Sequence, residues 1–356
     1  MKIVILGLSI TSSWGNGHAT TYRGLVRQLA GRGHNVLFLE RDLPWYADNR
    51  DLPRPPGART ELYDSVGALR ERFEADVRGA DLVVVGSYVP EGIEVGQWVT
   101  AHACGVTAFY DIDTPVTLAK LGNGGADYIS KPLIPRYDLY LSFTGGPTLD
   151  RLEREFGARM ARALYCSVDP EQYAPTRADP AWDLGYLGTY SDDRQPSLTR
   201  LLLDPARGLH DHRFVVAGPQ YPDDIAWPDN VDRITHLPPR DHRSFYNAQR
   251  YTLNITRQDM IRAGWSPSVR LFEAAACGTP IISDYWDGLG ELFEPGREIL
   301  IARSARDTRE YLHEMSDAER REVGSRARAR VLDGHTAAHR AAQLETYTCE
   351  ARTARS

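Results

Sequence analysis

Cysteine is scarce in this 356-residue chain: there are four, Cys104, Cys166, Cys277 and Cys349, and none has the paired spacing that zinc or a redox dithiol needs. Reduced thiols and a cytoplasmic setting are expected. Basic charge is also in deficit. With 42 Lys and Arg against 48 Asp and Glu, the formal charge of -6 gives no global attraction to nucleic acid or an anionic membrane. Long apolar runs are missing. The opening "MKIVILGLSI" is too short to span a bilayer and carries no small-residue cleavage signal, so a strand is expected there, with no transmembrane segment. Familiar catalytic signatures are missing too. His335 and His339 stand four apart without the glutamate of H-E-x-x-H, and "KLGNGGADY" has glycines but no phosphate-loop lysine. Neither a metal site nor a cofactor is expected.

What is present is ordinary globular material, 42% hydrophobic and 25% charged, and long enough for two cores. Short apolar, β-rich runs recur between segments of helical period: 2–7, 35–40, 81–86, 106–111 and 138–143. Continuous runs of this kind suit strands buried on both faces of a parallel sheet. From His18 to Ala30, Ala19, Tyr22, Leu25, Val26 and Leu29 share one helical face, which makes the first repeat a β-α-β unit. After a passage poor in strands the pattern restarts at 183–188, 213–218, 231–237, 251–256, 279–284 and 298–302. The fold class is therefore α/β, with two doubly wound parallel sheets and a ligand cleft expected beyond the carboxyl ends of their strands. The expected divisions are a domain over 1–165, a linker over 166–182, a second domain over 183–335 and a terminal helix over 336–356 that packs back on the first domain.

The stretch "WSPSVRLFEAAACGTPIISD" (265–284) carries the densest local information. Ser266 suits a helix N-cap, Pro267 the first helical position, and Gly278 a left-handed stop. The start of this helix, with Ser266 and Ser268, is a natural seat for a phosphate. Glu273 lies among Leu271, Phe272 and three alanines, so either it escapes to solvent, pairing with a base such as Arg270, or a polar partner is brought to it.

The segment "SPSVRLFEAAACGTPIISDYWDGLGELFEPGREIL" resembles the donor half of the GT-B glycosyltransferases. With "FYDIDTPVTLAKL", "VDPEQYAPT", "LGYLGTYSDDR" and "HTAAHRAAQLE" in the same order, the chain is similar to the CgeB-like (spore maturation protein) group. The resemblance implies a metal-independent, hexosyltransferase-like enzyme, with a nucleotide-diphosphate sugar bound by the second domain and an unidentified acceptor by the first. Related retaining enzymes carry two glutamates eight positions apart on this helix. Glu273 matches the second, which reaches the nucleotide ribose, whereas Trp265 occupies the place of the first and leaves the stereochemistry open. In "GTYSDDRQPS", Gly188 and Thr189 would allow close backbone approach to the diphosphate, and Arg194 would neutralise its growing charge unless it pairs with Asp192 or Asp193.

In the first half, "SSWGNGHATTYRG" (12–24) places Gly15, Gly17 and His18 at the start of a helix. This is similar to the glycine-rich loop and histidine of inverting GT-B enzymes, in which His18 would act as base on an acceptor hydroxyl. Asp111 and Asp113 of "YDIDTP" close the fourth strand as further candidate bases or as turn formers. A competing reading is an NAD(P)-dependent oxidoreductase, with Glu40 as the ribose acid. However, Gly15 and Gly17 arrive eight residues after the first strand, and Thr20 takes the place of the third glycine. A sugar-nucleotide epimerase or a binding protein on the same scaffold is a third reading.

Overall fold

The computed structural model describes residues 1–177 and 179–355. Ala178, inside the expected linker, and Ser356, at the end of the expected terminal helix, lie outside the described residues. The chain divides into two compact units, one formed by residues 1–166 with the helix that begins at Ala337, the other by Ser167–Thr336.

The first unit is a seven-stranded sheet in the order β3-β2-β1-β4-β5-β6-β7. Its strands are β1 (Lys2–Gly7), β2 (Asn35–Arg41), β3 (Arg59–Tyr63), β4 (Leu82–Gly86), β5 (Val106–Asp111), β6 (Leu139–Ser142) and β7 (Ala161–Ala163). Every pairing is parallel. All residues of β4 and β5 are buried, as helices on both faces require of continuous apolar runs. The edge strands β3 and β7 lack that signature, and for that reason neither is among the expected strands. β3 reads RTELY and is mostly half-exposed, while β7 is three residues long.

The second unit repeats the plan with six strands in the order β10-β9-β8-β11-β12-β13. These are β8 (Trp182–Leu187), β9 (Phe214–Ala217), β10 (Val231–Ile234), β11 (Gln249–Asn254), β12 (Ile281–Ser283) and β13 (Leu300–Ile301), again all parallel. The strand order reverses between β1 and β4 in one sheet and between β8 and β11 in the other. At such points the flanking crossovers lie on opposite faces and leave an open crevice at the carboxyl edge.

The His18–Gly31 helix buries Ala19, Tyr22, Leu25, Val26 and Leu29, the stripe its period predicts. Within the first unit it packs against the Ala337–Arg355 helix. The two backbones approach so closely that a Cβ on Gly24 would lie 3.1 Å from the Ala337 methyl. Arg32 and His34 hold Glu345 at 2.5 Å each and fasten that helix in place. The preceding helix, Asp317–Gly334, starts in a reciprocal capping box of Ser316 and Glu319.

Candidate active site

In the second unit the sequence expectation for 265–278 needs one correction. The helix runs from Val269 to Ala276, so Ser268 and not Ser266 is the N-cap, and Pro267 precedes the helix. Ser268 does not cap with its side chain. Its hydroxyl turns instead to Asn254 at the end of β11 and donates to Oδ1 at 2.8 Å. Ser266 is buried just upstream. The stop is as read: Gly278 has φ +72° and donates to the Ala275 carbonyl at 2.9 Å.

Arg270, on the same first turn, is buried and reaches the switch point of this sheet. Its Nε donates to the Leu187 carbonyl at 2.6 Å, its Nη1 to Asn254 Oδ1 at 2.8 Å, and its guanidinium lies 4.8 Å from the Tyr186 ring centroid. Asn254 therefore orients both Ser268 and Arg270, and is itself anchored by donating to Ser283 at 2.9 Å. Beside it Asp284 accepts from the Thr256 amide and hydroxyl, each at 2.8 Å. Burial pushes the Asp284 carboxyl above its ordinary range, against the pull of those bonds and of the Arg270 charge.

Gly188 and Thr189 follow β8 at this point. A Cβ on Gly188 would meet the Tyr186 hydroxyl at 2.5 Å, and one on Gly218 (φ +144°) would lie 2.0 Å from the Gly188 carbonyl. The Gly188 amide already donates to Ala217, and its carbonyl accepts from Tyr221 at 3.1 Å. Its small size therefore serves internal packing of the two turns. Among the described residues Arg194 makes no ion pair with Asp192 or Asp193, although its charge helps hold the Asp193 carboxyl low. It donates to the Ser191 hydroxyl at 2.8 Å and to the Thr189 carbonyl at 2.5 Å, which folds the loop around it. Arg233, stacked between Tyr221 at 4.2 Å and Trp227 at 4.3 Å, completes a cationic cluster. The charges of Arg233, Arg194 and Arg270 all bear on the Tyr221 hydroxyl and oppose the upward push of its burial.

Glu273 takes the second of the two courses open to it: polar partners are brought in. It is 2% exposed, accepts from the Tyr246 hydroxyl at 3.0 Å and lies 3.6 Å from His242 Nδ1. Burial and then the Glu273 charge push the Tyr173 and Tyr246 hydroxyls up and the Cys277 thiol to about 12. Arg270 is not its partner. Trp265 sits in a left-handed backbone (φ +43°) with its amide donating to Asp287 at 2.6 Å, and a Cβ on Gly288 would lie 2.4 Å from its ring.

In the first unit Gly15 has φ +60°, which a side chain would strain, while Gly17 is the N-cap of the His18 helix with ordinary angles. The His18 amide donates to Asn16 Oδ1 at 3.2 Å, and its half-buried ring meets Phe143 edge-on at 5.6 Å. Asp111 is fully buried with both oxygens engaged, Oδ2 by Tyr140 at 2.6 Å and Oδ1 by Thr117 at 2.9 Å. Burial raises its carboxyl to about 6. Full burial and these internal bonds favour a structural role for Asp111 over that of a base. Asp113 is half-exposed and accepts from Tyr88 at 3.0 Å. Glu40, the acid a dinucleotide ribose would need, is fully buried and consumed by the loop after β1. It accepts from Ser9, from the Ile10 amide, and from both the amide and hydroxyl of Thr11, at 2.7 to 3.1 Å.

Arg270, Asn254 and Arg233 are not among the sequence candidates. The signal for the first was available: a second charged residue inside the apolar "SVRLFEAAA" poses the same question as Glu273.

Residues 194–346 match the family model described as Glycosyl transferase-like. A sequence comparison with curated proteins finds no match. Among solved structures, the chain is similar to sucrose-phosphate synthase from Thermosynechococcus elongatus, at TM-score 0.71 and 14% identity, over 99% of this chain and 100% of that one. HepE from Anabaena, in complex with UDP and glucose, aligns at TM-score 0.71 and 12% identity, over 98% and 100%. BGT of T4 phage, in complex with its UDP-glucose substrate, aligns at TM-score 0.64 and 12% identity, over 99% of each chain. The fold is the expected GT-B, and the expected enzyme class, glycosyltransferase, agrees with the matched domain. Among the described residues no helix is long and apolar enough to cross a membrane.

Proposed function

We propose that this chain moves a sugar from a nucleotide-diphosphate donor, held by the second unit, to an acceptor hydroxyl held by the first, as a CgeB-like glycosyltransferase of the cytoplasm. The observation that carries the reading is the constellation at the β8/β11 switch point. Arg270 and Ser268 are fixed by one asparagine at the start of the Val269–Ala276 helix, with Arg194 and Arg233 nearby. Preorganised donors of this kind stabilise charge growing on a departing diphosphate without having to reorganise. They would do so with no metal.

In this reading Ser266 and Ser268 bracket the phosphates at the helix start, Thr189 lines the loop, and Glu273 holds the ribose from within the Tyr173, Tyr246 and His242 pocket. Gly15 lets the first-unit loop turn toward an acceptor, Gly17 opens the helix, and His18 removes the acceptor proton, so that transfer inverts the anomeric carbon. Asp113 is the reserve base. The neighbours solved with UDP or UDP-glucose make UDP-glucose the first donor to test. A thermal-shift screen of UDP-, GDP-, dTDP- and ADP-sugars beside NAD and NADP is decisive. Stabilisation by one nucleotide sugar supports the proposal, and stabilisation by a dinucleotide alone refutes it.

A further inference from the structure

Further along the same carboxyl edge of the second sheet, β12 and β13 end on a cavity of about 430 Å³. Tyr285, Ile301, Arg303, Asp307, Glu310 and Tyr311 are among the residues that line it. Tyr285 directly follows Asp284 and is 47% exposed, which leaves its ring available at the cavity. The Arg303 guanidinium lies 5.7 Å from the Tyr285 ring centroid and makes no ion pair among the described residues. Its backbone is fixed: Asp307 accepts from the amides of Arg303 and Ser304 at 2.7 and 3.0 Å. Tyr311 donates to the Ile301 carbonyl at 3.0 Å, so its oxygen can still accept, and Arg306 engages Oε1 of Glu310 at 2.6 Å.

We propose that this cavity is a subsite for a neutral oligosaccharide. The proposal does not rest on the glycosyltransferase reading. A pyranose presents an apolar C–H face and a rim of hydroxyls that each donate and accept. The cavity answers with an exposed aromatic ring, a guanidinium donor, and carboxylate and phenol acceptors. The wall carries charges of both signs, Arg303 against Asp307 and Glu310, and so offers both donors and acceptors to sugar hydroxyls. The volume lies within the range of small-molecule sites. Its place beside Asp284 puts the subsite on the sheet edge where the proposed diphosphate site also lies.

The test is saturation-transfer NMR of the full chain with maltohexaose, cellohexaose, isomaltohexaose and chitohexaose, followed by calorimetry on any that binds. At least one should bind. Tyr285→Ala and Arg303→Ala should each weaken it by about tenfold or more, while Tyr285→Phe, which keeps the ring, should not. Tyr285 is on the surface, so its substitution leaves the core untouched. Absence of binding by all four glycans, or binding that survives both alanine substitutions, overturns the subsite. The same samples are titrated with nucleotide sugars. Glycan binding without any nucleotide-sugar binding keeps the subsite and rejects the transferase reading, and the opposite result does the reverse.

Discussion

Replacing Asp111 with asparagine isolates the cost of one buried charge. The carboxyl is fully buried, and burial, opposed by the Tyr140 and Thr117 bonds, raises it from 3.8 to about 6. An acid whose folded-state pKa is raised binds its proton more tightly in the native state. Its contribution to stability is therefore complete below pH ~4 and is lost as the pH rises through about 6. A rise of about 2 in pKa corresponds to about 3 kcal/mol at neutral pH, as an upper bound. The introduced amide would reproduce the neutral acid: its oxygen can accept from Thr117 and its NH2 can donate to the Tyr140 oxygen. Asp111→Asn should thus unfold at the same temperature as the parent at pH 4 and up to about 6–12 °C higher at pH 7, for a unit of this size. Thermal unfolding followed by near-UV circular dichroism across that range measures it. Sugar transfer should survive, because the carboxyl is fully buried and bonded within the unit. Equal stability at both pH values would refute the burial argument, and loss of transfer with an intact fold would return Asp111 to the catalytic residues.

Other expectations follow from the remaining geometry. Arg270→Ala and Arg194→Ala should depress turnover more than ground-state donor affinity, because the extra phosphate charge appears only in the transition state; equal losses in kinetics and calorimetry would reduce both to plain binding. Glu273→Gln should weaken nucleotide binding by about tenfold, as charge-assisted bonds to the ribose become neutral ones, and unchanged calorimetric affinity would leave Glu273 a purely structural acid. His18→Gln should bind donor normally but transfer ~100-fold more slowly, with anomeric NMR showing an inverted product; a retained anomer would remove His18 from the base role. Hydrogen bonding to Arg32, then to His34, holds Glu345 down from 4.5 to about 2, so the stability it lends the first unit is present above pH ~4.5 and lost as the pH falls toward 2. Glu345→Gln should flatten acid unfolding in that window, and an unchanged acid limb would show that the clasp contributes nothing.

The parallel sheets, the central strands and the His18–Gly31 stripe were legible in the sequence because each rests on local periodicity. A strand buried on both faces must be continuously apolar, and a helix that buries one stripe must repeat it. The Gly278 stop was legible for a similar reason, since a left-handed position selects its residue locally. The partly exposed edge strand β3 and the three-residue β7 carry no such constraint and passed unread. At the site, sequence alone identified Glu273 as an acid in need of an explanation, but only the tertiary structure supplied the tyrosines and the histidine around it, from segments far away in the chain. The structure also placed Asp111 and Glu40 in buried hydrogen-bond networks that no local pattern encodes. It brought Arg270 forward through Asn254 and Leu187. Residue type and spacing determine which groups can do chemistry, whereas burial and long-range hydrogen bonding decide which of them have lone pairs or protons left to do it with.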